Sequence, residues 1–321
     1  MYINEIFELT RAVNSDEFDR LIARVRDNLE EEEGEEYADR SLSRKGVTVI
    51  YRKSRYKKKV RLVVNTAFLF KEKEYDSGKI VQQLEKRVAK YFGDRRSLEE
   101  FVLTEAALMT DLRMEYPEDV LMYLRLLRRI GKVKNFSPVT YDGFSKQNSF
   151  CLKGNSNDIV FMAYNLHAVI KESPGSEGRQ SLACAKGVLR AEIRLTSQKA
   201  IREVSQVQDA LEQMLVLGKR RSEIFLSIFG RIVPFGDSYK KSLVAERVRT
   251  QVSDLRMRRR MLYLIDLIPE KRSLWLAQKA LQYRKIDEVM DAFAKIGLSP
   301  VTISKRERGQ CYRSLYHFLE K

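Results

Sequence analysis

The segment GVTVIYRKSRYKKKVRLVVNTAFLF, Gly46–Phe70, holds two runs in which β-branched and aromatic residues alternate with polar ones. A basic link from Arg52 to Lys59 separates the two runs. An apolar residue at every second position is typical of a strand with one buried face. The segment therefore predicts a β-hairpin with a cationic tip.

The tip of this hairpin combines aromatic rings with cations, since Tyr51 and Tyr56 interleave with lysines and arginines. Such a surface can stack on bases while its cations contact phosphates. The alternative is an exposed edge hairpin that its lysines keep soluble. The sequence leaves both alternatives open. The candidate nucleic-acid-binding residues of the tip are Arg52, Lys53, Arg55, Lys57 and Lys58.

The segments on either side of the hairpin carry helical and strand-like spacings. The glutamate run Glu30–Glu36 is interpreted as a solvated loop, because charges of one sign at this density repel each other. Helices are predicted at 15–29, 78–92 and 117–129. Strands are predicted at 101–114, 149–153, 159–164 and 188–195.

This irregular order of helices and strands differs from the regular alternation of a doubly wound fold. It predicts an α+β fold with a mainly antiparallel sheet and packed helices. Almost everything beyond Ser197 has helical spacing, so a helical C-terminal subdomain is expected to follow. A length of 321 residues also favours two domains, which we place at 1–196 and 197–321. No internal sequence repeat is apparent.

The C-terminal part has an arginine-rich amphipathic segment at 238–268, which we predict to be helical up to Pro269. Two short helical patterns follow from Arg272 onward. Paired short helices can form a helix-turn-helix reader, but they also close many helical subdomains. The candidate DNA-binding residues of the amphipathic segment are Arg256, Arg258, Arg259 and Arg260.

The net charge of +16 is concentrated in the last third of the chain. Residues 217–321 contain 23 basic and 11 acidic side chains, which amounts to +12. Each phosphate that a protein neutralises releases a counterion, so this asymmetry favours a polyanionic partner. The alternative is a basic surface that only keeps the protein soluble.

The cysteines and the hydropathy pattern indicate the compartment. Cys151, Cys184 and Cys311 are unevenly spaced and include no Cys-x-x-Cys pair, so we expect free thiols in a reducing environment. No stretch approaches the roughly 18 apolar residues of a membrane span, and the N-terminus lacks a signal-peptide core. We therefore expect a cytoplasmic protein without a membrane partner.

Several short motifs, in this order along the chain, resemble the rolling-circle replication initiators of the plasmid and filamentous-phage type, especially those of clostridial mobile elements. The resemblance covers about residues 97–305. Its motifs are Met109–Leu112, Tyr116–Asp119, Tyr123–Arg129, Asn148–Lys153, Tyr164–Leu166, Leu189–Arg194 and Ile296–Ile303.

This resemblance implies a protein that acts in DNA replication as a DNA-nicking endonuclease. In such enzymes a tyrosine attacks a phosphodiester with the help of Mg²⁺ or Mn²⁺. The resemblance places the nucleophile at Tyr164 and metal ligands at Asp111 and Glu192. His167, three residues after Tyr164, is a further candidate for a metal ligand or a base, with an ordinary polar position as the alternative. The resemblance also implies origin or single-stranded DNA as the partner and leaves a homodimer open. The residues expected to hold the DNA backbone are Lys171, Arg190 and Arg194.

The chain departs from the family pattern at three points. The first acid of the family's Arg-Ile-Asp strand falls near Leu108, so only Asp111 remains there. Leu166 stands where the family has a lysine, and the chain's histidines, His167 and His317, cannot form the paired-histidine metal motif. A catalytically silent DNA-binding protein with the initiator fold is therefore the alternative, and an RNA-binding or host-interaction protein is a third. The carboxylates Asp111 and Glu192 could also pair simply with neighbouring arginines. No glycine-rich nucleotide-binding loop is present, which argues against a helicase or a kinase.

Overall fold

A computed structural model describes residues 1–32, 35–55, 57–70, 75–92, 96–141, 143–155, 158–172 and 179–319. It confirms the α+β class, since the described residues form a ten-stranded antiparallel sheet, and a mainly helical C-terminal region follows it. None of the helices in these ranges is long and apolar enough to cross a membrane.

The strands of the large sheet are β1 (Asn4–Val13), β2 (Leu29–Glu32), β3 (Glu36–Asp39), β4 (Val47–Lys53), β5 (Lys58–Asn65), β6 (Val102–Arg113), β7 (Phe136–Pro138), β8 (Ser149–Gly154), β9 (Ile159–Asn165) and β10 (Val188–Leu195). A separate pair consists of β11 (Ser238–Tyr239) and β12 (Cys311–Tyr312).

The helices associated with the sheet are α1 (Ser15–Val25), α2 (Thr66–Leu69), α3 (Ile80–Phe92), α4 (Arg96–Glu99), α5 (Asp119–Arg128), α6 (Leu166–Glu172) and α7 (Arg179–Ala185). The C-terminal helices are α8 (Gln198–Ser205), α9 (Ala210–Lys219), α10 (Arg221–Ile232), α11 (Lys241–Gln251), α12 (Leu255–Lys271), α13 (Leu274–Ala280), α14 (Ile286–Lys295) and α15 (Leu315–Leu319).

The large sheet consists of two units with the same topology. The strand order β2-β3-β4-β5-β1-β6-β10-β9-β8-β7 places the first five strands on one side and the next five on the other. In each unit a long first strand leads into a helix, and the last strand returns to pair with the first. The first strands, β1 and β6, pair antiparallel at the centre, so an approximate two-fold axis relates the units.

The two units share a topology, but no repeat is visible in the sequence. The same topology requires only that buried and exposed positions alternate in the same order, and it does not require the same residues. The C-terminal helices pack on one face of the sheet, where α8 and α9 contact β6. One hydrophobic cluster runs through this layer and includes residues from both sides of position 196, such as Phe7, Phe161 and Phe229. The opposite, outward face carries most of the sheet's charged side chains. The proposed boundary at 196 stays a prediction.

Several local predictions are wrong. Strand β1 was not predicted, although its burial alternates along its length. The glutamate run pairs as β2 and β3 over its described residues, because Glu36 forms an ion pair with Arg61 of β5. The segment 238–268 is two helices, and Asp254 caps the second one. This helix continues past Pro269, because a proline in the last turn forfeits only one backbone hydrogen bond.

A buried ion pair ties strand β1 to helix α10. Glu5 is fully buried on the core side of the sheet and accepts hydrogen bonds from Arg221 at 3.0 Å and from Tyr75 at 2.9 Å. The guanidinium also lies 3.7 Å from the centre of the Tyr75 ring. Burial raises the pKa of Glu5, while the hydrogen bonds from Thr66, Arg221 and Tyr75 oppose this rise.

We expect Arg221→Met to lower the free energy of unfolding by about 3 kcal/mol, because it leaves the Glu5 carboxylate buried without its cation. Urea denaturation measures the loss. Arg220→Met is the matched control, since the neighbouring Arg220 pairs with Glu223 on the surface and its loss should change little. Losses of equal size in the two variants would show that the buried pair has no special role.

Candidate tyrosine site and nucleic-acid interface

The outward face of the second unit brings together most of the residues of the predicted catalytic site. Tyr164, Arg190 and Asp111 are direct neighbours across β9, β10 and β6. Glu192 and Arg194 follow Arg190 at alternate positions of β10, so they share its face. The regular pleat of three paired strands therefore forms this cluster.

Tyr164 and Glu192 form the centre of this cluster. The Tyr164 hydroxyl donates a hydrogen bond of 2.9 Å to the Glu192 carboxylate, and both side chains are buried, with 5% and 1% exposure. Phe144 covers the tyrosine, with its ring centre 4.8 Å away. Burial, reinforced by the negative charge of Glu192, raises the pKa of Tyr164 far above its usual range. The phenol is therefore protonated at rest, and its proton lies in the hydrogen bond to Glu192.

The arginines of this face hold the carboxylates. Arg190 makes a bidentate ion pair with Asp111, with distances of 2.6 and 2.9 Å. This is the alternative in which the carboxylate pairs with a neighbouring arginine. Burial alone would lower the pKa of Arg190, but the hydrogen bonds and charge of Asp111 raise it. Arg194 donates to Glu192 and lies 3.6 Å from Glu105. Each acid is therefore neutralised by a neighbour on the sheet.

The arrangement does not fit a divalent cation. Within the described ranges, no group of three or more His, Cys, Asp and Glu side chains lies close enough together to hold one. Asp111 faces Arg190, and the oxygens of Glu192 accept from Tyr164 and Arg194. His167 is half-buried on α6 and does not join these acids as a ligand. The predicted Mg²⁺ or Mn²⁺ site would require these contacts to break.

A cavity of about 600 Å³ opens beside the cluster on the outward face. Tyr164, Asp111 and Arg190 line one wall, and the exposed Phe68 lines another. A space of this size accommodates a small ligand or one nucleotide. Lys171 is exposed at the end of α6, whose residues Leu166 to Ile170 line the cavity in part.

The first unit carries a basic counterpart of this cluster. At the equivalent end of its strands, Arg52, Lys59 and Ala12 form the row that corresponds to Tyr164, Arg190 and Asp111. Arg61 occupies the place of Glu192. The acids and the tyrosine of this row are thus replaced by cations or by alanine, so among the described residues the row of the first unit has no counterpart of the Tyr164–Glu192 pair.

The hairpin tip continues this basic row. Arg52, Lys53, Arg55 and Lys57 are exposed, and Arg52 lies 3.6 Å from Glu36. Lys58 instead lies under the tip, 3.4 Å from Asp19 and over the Phe18 ring. It therefore supports the local structure, and the other four remain candidates for binding. Tyr56 lies outside the described residues.

The strongest concentration of positive charge is the arginine corner, which we define as residues 247–260 at the junction of α11 and α12. Six arginines lie here, and the described part of the chain places no acid within ion-pair distance of any of them. Arg249, Arg256 and Arg259 are exposed, while two others stack on tyrosines. The corner consists of Arg247, Arg249, Arg256, Arg258, Arg259 and Arg260. Arg247 and Arg249 were missed because the sequence pattern was treated as one helix.

Helices α13 and α14 form the two short helices expected of a helix-turn-helix reader. The second helix begins with Asp287 and Glu288, and Asp291 is exposed one turn later. Acids at these positions would repel phosphates of a DNA groove. We therefore assign the basic interface of the C-terminal region to the arginine corner.

Comparison of the chain with protein-family models finds no matching family, and comparison with curated proteins finds no match either. The resemblance to replication initiators therefore remains a prediction that the motif order alone supports. What the protein does has to be argued from the residues described above.

We expect Glu105→Gln to stabilise the fold at about pH 7. Burial raises the pKa of Glu105, as do the charges of Glu8 and Glu192, and Arg194 opposes this rise. A carboxyl whose pKa is raised on folding opposes folding increasingly as the pH rises from its unfolded-state pKa to its folded-state pKa, and fully above the latter. The gain should therefore vanish at about pH 3, where the carboxyl is protonated in both states. Chemical denaturation at the two pH values measures it.

The exposed Glu246→Gln is the control for this pH dependence, because its side chain is in water in both states. A gain from Glu105→Gln that is the same at both pH values would contradict the assigned cause.

Proposed function

We propose that this chain is a DNA-binding protein of the replication-initiator type, encoded by a mobile element. The observation that carries the proposal is the arginine corner, where six guanidinium groups lie within fourteen residues and no acid of the described ranges lies within ion-pair distance of them. Such a concentration of one charge is costly unless a polyanion neutralises it. Arginine binds phosphate oxygens through two parallel hydrogen bonds, which suits a nucleic-acid backbone.

The geometry of α12 supports this proposal. Arg256, Arg259 and Tyr263 lie three to four residues apart on the exposed side of the helix, and the Tyr263 side chain is 52% exposed. The opposite side packs into the core through Met261, Leu264 and Ile265. The helix is therefore fixed by its apolar side and presents its cations outward in a rigid row.

The large sheet adds a second basic surface at the hairpin tip and its neighbouring row. Arg52, Lys53, Arg55, Lys57 and Lys59 are exposed there. Contacts with phosphates at two separate surfaces would raise the affinity and orient the DNA relative to the Tyr164 cavity. Arginine contacts with phosphate form with either backbone, so the preference for DNA over the RNA-binding alternative rests on the motif order of the resemblance.

We expect the triple variant Arg249→Gln, Arg256→Gln and Arg259→Gln to weaken DNA binding at least tenfold at about 0.1 M salt. The slope of the logarithm of the association constant against the logarithm of the salt concentration should become less negative by about three. For each phosphate contact that is lost, one counterion fewer is released on binding. Fluorescence anisotropy with a labelled duplex of about 20 base pairs measures both quantities.

The control for this variant removes the same charge elsewhere. Arg26, Arg44 and Arg202 are exposed outside the corner, and their joint change to glutamine lowers the net charge equally. If this control loses as much affinity as the corner variant, the binding depends on overall charge, and the corner is not the interface.

A second candidate activity, DNA strand cleavage, is favoured by the hydrogen bond between Tyr164 and Glu192. In that reaction the Tyr164 oxygen would form a bond to phosphorus, and the bond from phosphorus to the 3′ oxygen would break. Glu192 would take the phenol proton, and water would protonate the departing 3′ oxygen. The burial of the tyrosine requires the segment that bears Phe144 to move first.

For strand cleavage we expect the wild-type protein to form a covalent adduct with 3′-labelled single-stranded oligonucleotides, and Tyr164→Phe to abolish it. The assay uses denaturing gels with and without Mg²⁺ or Mn²⁺. Tyr141→Phe is the control, because Tyr141 is a half-buried neighbour near Arg194. An adduct that survives Tyr164→Phe would move the nucleophile elsewhere. Binding without any adduct would leave the catalytically silent alternative.

A further inference from the structure

Trp275, the tryptophan of this chain, lies outside the hydrophobic core. Its side chain is half-buried, yet it belongs to neither of the hydrophobic clusters of the described residues. The next residue, Leu276, is 49% exposed. A large aromatic ring that contributes little to the core is available for contact with a ligand.

The backbone around Trp275 is held firmly in place. The amide of Leu274 donates to the carbonyl of Arg129 at 2.7 Å, and the amide of Trp275 donates to that of Ile130 at 3.2 Å. Helix α13 thus begins on the end of α5. Gly131 has a positive φ of 73°, and a β-carbon there would lie 2.8 Å from the Ser273 side chain. The ring is therefore presented from a fixed junction.

Two lysines from different elements lie over the Trp275 ring. The Lys279 ammonium lies 5.1 Å from the ring centre, and that of Lys132 lies 5.8 Å from it. Lys134 and Arg272 are exposed nearby in sequence. Within the described part of the chain, none of these four cations lies within ion-pair distance of an acid. The surface therefore combines an aromatic face with uncompensated positive charge.

We propose that this surface, the Trp275 site, binds single-stranded nucleic acid. An unpaired base takes the place of the ammonium groups over the indole and stacks there, and Lys132 and Lys279 swing outward to contact the phosphates on either side of it. Aromatic rings beside cations bind single strands in this way, because every base has a face that can stack. A duplex buries those faces between its base pairs. The inference rests on the proposed nucleic-acid binding and adds a second contact with its own strand preference.

The position of the Trp275 site relative to the arginine corner is set by α12. This helix has 17 residues, so its two ends are about 25 Å apart. The corner lies at its beginning, and Trp275 follows four residues after its end. One nucleic acid can therefore contact the corner as a duplex and the Trp275 site as a single strand, as at a junction where a duplex opens.

The intrinsic fluorescence of Trp275 tests this directly, because no other tryptophan contributes to the signal. The full-length protein is titrated with an eight-nucleotide oligothymidylate, with a duplex of about 20 base pairs and with inorganic polyphosphate. We expect oligothymidylate to quench the emission and polyphosphate to leave it nearly unchanged, since stacking requires a base. Equal quenching by polyphosphate and oligothymidylate would overturn the stacking contact, and stronger quenching by the blunt duplex would overturn the strand preference.

Variants assign the contact to its residues. Trp275→Ala should weaken oligothymidylate binding about tenfold, and Lys132→Gln with Lys279→Gln should weaken it by a similar factor, measured by the anisotropy of a labelled oligonucleotide. Lys45→Gln with Lys199→Gln is the charge-matched control on exposed lysines elsewhere. Unchanged affinity in the Trp275 and lysine variants would overturn the inference.

The fluorescence titration and the binding measurements together also distinguish this inference from the proposed function. A wild-type protein that binds the duplex through the arginine corner but whose tryptophan emission never responds to single strands would contradict the Trp275 site alone. A wild-type protein that binds no nucleic acid at all would contradict both proposals.

Discussion

The pairing of β1 with β6 is the constraint on which the rest of the structure depends. These strands are the first strands of the two five-stranded units, and their antiparallel register joins the units into one sheet. Because side chains alternate between the faces of a sheet, this pairing, which shifts by one residue between Glu8 and Leu9, fixes which residues of the two central strands face the helices and which face outward. The buried Glu5–Arg221 pair then ties the central strand to the C-terminal helices.

The two-fold arrangement explains why chemistry and charge are distributed unequally over one surface. Equivalent rows at the strand ends hold Tyr164, Arg190 and Asp111 in one unit and Arg52, Lys59 and Ala12 in the other. The two units share a topology but not the side chains of this row, so one row carries the tyrosine and acids and the other is a basic surface. The tyrosine–carboxylate pair and the hairpin therefore complement each other within the proposed function.

The sequence predicts the strands whose burial alternates and the location of the basic residues, since both are local properties. The hairpin of β4 and β5 is an example, although its predicted end, Thr66–Leu69, forms α2. The strands β8 and β9 near Tyr164 were predicted from continuous apolar runs, since they are buried on both faces. The Glu5–Arg221 contact could not be predicted, because it joins residues 216 positions apart. The shared topology of the two units could not be predicted either, because it does not require a repeated sequence motif. Two further features are visible in the sequence but were not predicted. They are the alternation of apolar and polar residues along β1 and the helix-capping residue Asp254.

Hydrogen–deuterium exchange with and without duplex DNA tests the central claim, that the arginine corner holds nucleic acid, most directly. The measurement reports each segment separately, so it locates the contact without changing the protein. We expect slower exchange at the start of α12 and in the hairpin tip, and unchanged exchange in α14. Protection confined to α14, or bound DNA with unchanged exchange throughout residues 247–260, would contradict the account.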